Sequence, residues 1–279
     1  MSNEIANIIQ SLPSIVETGL DEDTLAVAGN SVMGNKRISI KGRVFRKIVS
    51  GKEQSVNTDN HMNVIFVKLS HDASRTFYSS TYKEGSKVSP VCWSADSKVP
   101  SPEVTNPCAS SCSECPNSVK GSGQGGQGTA CKLSWRTAVV LANDPEGDVY
   151  QLVLPATSAF GKEENGKYPF RPYVQMLANH GVSAGRVVTK MQFDTKSPVP
   201  RVLFSPVSAI NPNDLDVLTA QSKKPAAESA VKLTVYQNDE GDAAEAPVPA
   251  AVVVKPSKKT AANAATADVT DVLKEWTKK

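Results

Sequence analysis

Histidine is scarce in this chain: His61, His71 and His180 are the full complement, and none stands in an HExxH or His-x-Glu arrangement. The motifs of helical zinc hydrolases and of zinc deaminases are therefore missing. There is no GxxxxGK[ST] segment, and the glycine-rich run Gly121 to Gly128 lacks the lysine and the following helix that phosphate cradling needs. No apolar run approaches the ~20 residues of a membrane-spanning helix, so no membrane association is expected. Charge of one sign is not in excess either, with 31 basic against 28 acidic residues and a net charge of +3. That balance excludes binding driven by a global positive field and leaves local distribution to decide. The segment Met1-Ser2-Asn3-Glu4-Ile5 has neither a basic nor an apolar stretch of a leader, which predicts a cytoplasmic protein with reduced thiols.

Cysteine is also sparse, but its placement is not random. All five, Cys92, Cys108, Cys112, Cys115 and Cys131, fall within one stretch. Cys112-x-x-Cys115 puts two thiolates on one turn, and Cys131 returns after fifteen residues through the glycine-rich loop. This spacing suits a tetrahedral structural zinc site, with either Cys92 or Cys108 as the fourth ligand. Five thiols leave one over. A four-sulfur site has no open position for catalysis, so no enzymatic activity is expected.

The chain has 279 residues, enough for a real core. Ile5, Ile8, Ile9 and Leu12 form an apolar helical stripe, read as a short helix docked on the domain rather than an arm reaching a second copy. From Arg37 the period changes to two. Ile38, Ile40, Gly42, Val44 and Ile48 share one face, and Arg37, Lys41, Arg43, Phe45 and Lys47 share the other. Seven basic residues and no acidic one lie between Lys36 and Lys52. One long strand with a basic, aromatic-bearing face suits a small barrel that binds a phosphate backbone, because edge protection alone would tolerate either sign of charge.

Residues 62–70 and 74–82 read as a hairpin turning at His71-Asp72-Ala73. Phe66, Arg75, Phe77, Tyr78, Tyr82 and Lys83 interleave aromatics with cations there, the combination that base stacking and phosphate neutralisation require. A second hairpin is expected from Lys132–Leu141 and Val149–Leu154, so the cysteine segment, 90–132, is an insertion between strand pairs. A helix over 169–180 ended by Gly181, strands 186–193 and 201–207, and a helix over 211–221 capped by Asn211 complete a domain spanning 31–220. An Ala/Pro/Lys linker is expected over 221–262. Residues 263–279 form a small amphipathic segment in which Leu273, Trp276, Lys278 and Lys279 are candidate partner-binding residues.

Four ordered motifs carry a family resemblance: Pro90-Val91-Cys92-Trp93-Ser94-Ala95-Asp96, then Cys112-Ser113-Glu114-Cys115-Pro116-Asn117 leading into Gly121-Ser122, then Ala130-Cys131-Lys132, then Leu154-Pro155-Ala156-Thr157-Ser158-Ala159-Phe160. Over roughly 35–210 the chain resembles bacteriophage single-stranded DNA-binding proteins of the zinc-bearing kind. The resemblance implies a mainly β (α+β) fold, an OB-like antiparallel barrel with a zinc-knuckle insertion and a few short helices. It also implies binding of single-stranded DNA without sequence preference in phage replication or recombination, in the cytoplasm of the bacterial host, and Cys92, Cys112, Cys115 and Cys131 as ligands. Replication or transcription proteins recruited through the tail, and self-association along DNA, are the expected partners. The competing expectation is a phage structural or transcription-regulating adaptor with a zinc-stabilised fold.

Overall fold

Gly42 divides what reads as one long strand. It lies at φ +70° and Arg43 at φ +58°, left-handed values that a glycine reaches without steric cost and that reverse the chain. The result is a tight hairpin of β1 (Arg37–Ser39) and β2 (Phe45–Val49), with Ile38 opposite Lys47. The sequence pattern counted Gly42 as an inward position of a continuous strand. The turn shifts the phase instead, and Phe45 becomes fully buried.

The structure is a computed structural model that describes residues 36–79, 89–126 and 128–234. The N-terminal stripe from Ile5 to Leu12, Tyr82, Lys83, and the tail residues Leu273, Trp276, Lys278 and Lys279 lie outside the described residues. After the first hairpin come β3 (Lys52–Asn57), β4 (His61–Leu69), β5 (Ser74–Phe77), β6 (Cys92–Ser94), β7 (Lys132–Leu141) and β8 (Tyr150–Pro155). A one-turn helix α1 (Ala156–Ala159) and the longer α2 (Phe170–Asn179) precede β9 (Val187–Phe193) and β10 (Val202–Ala209). Helices α3 (Leu215–Lys223) and α4 (Pro225–Val231) close the described chain.

The sheet runs β10-β9-β4-β7-β8-β1-β2-β3, and β5 with β6 branches from β7. The fold is mainly β, with a curled half-barrel sheet and a few short helices. It is not antiparallel throughout, since β1 pairs with β8 in parallel. The expected β7–β8 hairpin is present, with Trp135 opposite Leu154, and so is the β9–β10 hairpin.

The expected hairpin at residues 71–73 is not. Both β4 and β5 pair antiparallel with β7, so they run in the same direction along one edge of it. Ser70 explains the continuation: its N–H donates to the Arg136 carbonyl at 3.0 Å, and its carbonyl accepts from the Trp135 indole at 3.0 Å. The chain steps outward without leaving β7.

On the inner face of the curl, Val64, Phe66, Leu152, Leu154, Met191 and Phe204 pack against Phe170, Tyr173 and Leu177 of α2. The buried Tyr173 hydroxyl is matched to Thr189 at 2.8 Å, which removes the cost of leaving a polar group dry. On the outer face, Ile65, Ala138 and Val140 pack against Leu218 of α3 and Ala227 and Ala230 of α4. Helix α4 corrects the expected linker boundary at 221. The Gln151 side chain donates to the Ala230 carbonyl at 2.9 Å, and Lys68 pairs with Glu228. Alanines suit this position because the helix sits close on the sheet, a closeness that composition alone reads as linker.

Candidate functional site

The cysteine segment is anchored as a strand before it forms anything else. Strand β6 pairs with β5, placing Cys92 opposite Phe77, Trp93 opposite Thr76 and Ser94 opposite Arg75. Arg75 also pairs with Leu133 of β7, two residues after Cys131. The first and last cysteines are thus brought to one end of a three-stranded patch.

The middle of the segment is folded onto that patch by backbone hydrogen bonds. Cys112 N–H donates to the Lys98 carbonyl at 2.9 Å, and Cys131 N–H donates to the Asn117 carbonyl at 2.8 Å. Asp96 holds the turn that follows β6 and presents the Lys98 carbonyl, accepting from the Lys98 N–H at 2.8 Å and the Ser94 hydroxyl at 3.0 Å. The Lys98 N–H bond is the main reason the Asp96 carboxyl titrates below the usual range. After Cys115 the chain makes a short 3-10 turn, Pro116–Ser118, that carries Asn117 under Cys131.

The product is a cavity of about 10 Å³ lined by all five cysteines, with Arg75, Phe77, Trp93 and Ser118 among its other walls. A volume of that order holds one small occupant. Cys112, Cys115 and Cys131 are buried, whereas Cys92 and Cys108 are half-buried. Among the described residues, no three His, Cys, Asp or Glu side chains are yet gathered at metal-ligand spacing; the sulfurs ring the space and do not converge in it. Burial pushes the Cys131 thiol up to about 11, against a partial offset from the Arg75 guanidinium. Burial likewise raises Cys112, and it raises Cys108, where neighbouring Cys92 adds to the effect. These are thiols adapted to a dry wall, and only a cation would make thiolates stable there.

The residues expected to form a basic, aromatic face are divided by the fold. Arg37 is only 4% exposed. Phe45 stacks on Phe193, and Phe66 lies between Phe170 and Phe204. None of these three reaches the surface, so their place in a binding face is corrected: they are interior residues. Arg75 and Phe77 line the cysteine cavity. Lys47 is half-buried on β2.

Lys41 and Arg43 do project, because the Gly42 turn carries them beyond the sheet. One Arg43 guanidinium N–H donates to the Ser197 carbonyl of the β9–β10 turn, so Lys196 belongs to the same rim. Tyr78, 45% exposed, is the surface aromatic that remains of the expected set among the described residues. Sequence reading missed Lys196 because it lies some 150 residues from Arg43; no local pattern links two turns that meet by curling of the sheet. It also missed Ser118, which stands three residues after Cys115 and could have been found as a hydroxyl following the Cys-x-x-Cys turn.

No membrane-crossing helix occurs among the described residues. Compared with known proteins, the chain matches no family model, no curated protein and no solved structure.

Proposed function

We propose that this chain binds single-stranded DNA without sequence preference, coats it in phage replication or recombination, and uses the cysteine module as a structural zinc centre. The observation that carries the DNA reading is the rim where the β1–β2 turn meets the β9–β10 turn. Lys41 and Arg43 are exposed there, and Arg43 spends one donor on a backbone carbonyl of the facing turn rather than on a carboxylate. Cations with no acidic partner among the described residues, beside an interior already filled by Phe45 and Phe193, suit contact with phosphates. Tyr78 offers a stacking surface at the end of β5. Binding of this kind involves no bond making or breaking.

The zinc reading rests on the donor set. Five soft sulfur donors around one small cavity, with no carboxylate or imidazole among its walls, fit zinc better than they fit a hard cation. Cys112, Cys115 and Cys131 would hold it with Cys92 or Cys108. The metal would supply folding energy to a segment with few apolar residues.

The test is fluorescence titration with oligo-dT across a salt series. Affinity should fall linearly in log-log form, with a slope of about −0.7 for each phosphate contacted. No binding at low salt overturns the DNA reading. A second reading, an adaptor with a zinc-stabilised fold, draws on the near-balanced charge and on α4, which ties the chain entering the C-terminal segment to the sheet. Removal of residues 235–279 separates the two, since oligonucleotide binding survives it only if the folded domain is responsible.

A further inference from the structure

Arg75 lies on a strand paired on both sides, to Ser94 of β6, two residues after Cys92, and to Leu133 of β7, two residues after Cys131. Its side chain lines the same cavity as the five cysteines. Its Nε is buried and makes no hydrogen bond among the described residues, and the hydroxyl of Ser118, another wall of that cavity, is buried and unbonded in the same way. Two donors of different chemistry, a guanidinium N–H and a hydroxyl, are therefore left unmatched on the wall of one small space. Leaving such donors dry is costly, about 1–3 kcal/mol for each neutral group and more for a charged one. An acceptor that arrives with a ligand would remove that cost.

We propose that Arg75 and Ser118 are the outer hydrogen-bonding partners of the thiolate set, Arg75 balancing its charge and Ser118 donating to a sulfur. The inference rests on the zinc reading of the cavity. Four thiolates around one divalent zinc carry a net charge of −2, and one guanidinium in the wall halves it. Both donors then gain strong acceptors only when the metal is bound. Outer partners of this type typically change metal affinity 10–100-fold. Arg75 is accordingly a metal-site residue and not a DNA contact.

The experiment measures zinc affinity of the full chain by competition with a chromophoric chelator, cobalt(II)–thiolate charge-transfer absorption, and oligo-dT binding in parallel. Arg75→Gln should weaken zinc 10-fold or more and shift the cobalt–thiolate band, Arg75→Lys should recover part of the affinity, and Ser118→Ala should weaken it several-fold. Oligo-dT affinity of zinc-saturated Arg75→Gln should match wild type. Wild type that holds zinc while Arg75→Gln and Ser118→Ala hold it equally well overturns the inference and leaves the zinc reading intact. Wild type that takes up neither zinc nor cobalt overturns both. Loss of oligo-dT binding at unchanged zinc affinity returns Arg75 to the DNA face and also overturns the inference. Should Arg75→Gln fail to fold, Ser118→Ala, which removes one hydroxyl, decides it.

Discussion

Phe45 on β2 and Phe193 on β9 stack with ring centroids 4.4 Å apart and planes tilted by 32°, although four strands lie between theirs in the sheet. In a flat sheet, five strand-to-strand steps of about 4.8 Å would separate them by roughly 24 Å. Their contact is the seam of the curl. It brings the β1–β2 turn to the β9–β10 turn and so creates the rim that carries Lys41, Arg43 and Lys196.

Truncating either ring should therefore cost the whole domain. Phe45→Ala and Phe193→Ala are each expected to destabilise by about 3–5 kcal/mol in urea unfolding. A double-mutant cycle should return a coupling of roughly 0.5–1.5 kcal/mol beyond area burial. Strict additivity would mean that the two rings do not meet in solution.

Charge reversal at the rim should weaken DNA binding without unfolding the protein. Lys41→Glu combined with Arg43→Glu is expected to reduce oligo-dT affinity and lower the magnitude of the salt slope by about 0.7 for each lost contact. Lys47, half-buried on β2, should matter less. An unchanged slope in the double variant would remove the rim from the interface.

The fourth ligand can be settled by single substitutions. Cys92 is held by pairing with Phe77, and Cys108 sits beside it on the same cavity. The resemblance implies Cys92, so Cys92→Ser should lose zinc and Cys108→Ser should keep one equivalent. The reverse pattern would exchange their roles.

Alkaline pH should distinguish metal-free from zinc-loaded protein. The Cys131 thiol is raised from 9.0 to about 11 in the fold by burial. A raised pKa contributes stability that is complete below pH 9.0 and is lost as pH climbs towards about 11. Buried Tyr150 and Tyr173 shift in the same direction and act in both forms. The metal-free protein should thus lose more stability over this window than the zinc-loaded one, in which the thiols are already ionised. In the acid direction zinc affinity should fall, because protons compete for the sulfurs.

Truncation after residue 234 should leave the domain folded, whereas truncation after residue 224 should not leave it intact. The shorter chain exposes the sheet under Ala227 and Ala230 and leaves the buried Gln151 amide without the Ala230 carbonyl. Equal stability of the two truncated proteins would show that α4 does not dock.

The elements whose signals are local were legible in advance. The β7–β8 and β9–β10 hairpins, the helix over residues 170–179 stopped by Gly181 at φ +70°, and the Asn211 side chain accepting from Asn213 N–H all follow from near-neighbour chemistry. So does the clustering of the cysteines, which Asp96 and the Pro116–Ser118 turn enforce within the segment itself.

Tertiary structure alone decided which side of each strand faces inward. Alternation assigns two faces but does not name the buried one: the Gly42 turn reset the phase so that Phe45 went inside, while β1, with Arg37, is buried on both faces. It also decided that Arg75 ends at the sulfur cavity, since that follows from β5 lying between β6 and β7. Residue types set the local turns, caps and donors by short-range sterics and hydrogen bonding. Placing Lys196 with Arg43, or α4 on the sheet, depends on contacts between residues far apart in the chain, which form only when the sheet has curled to bury its inner face.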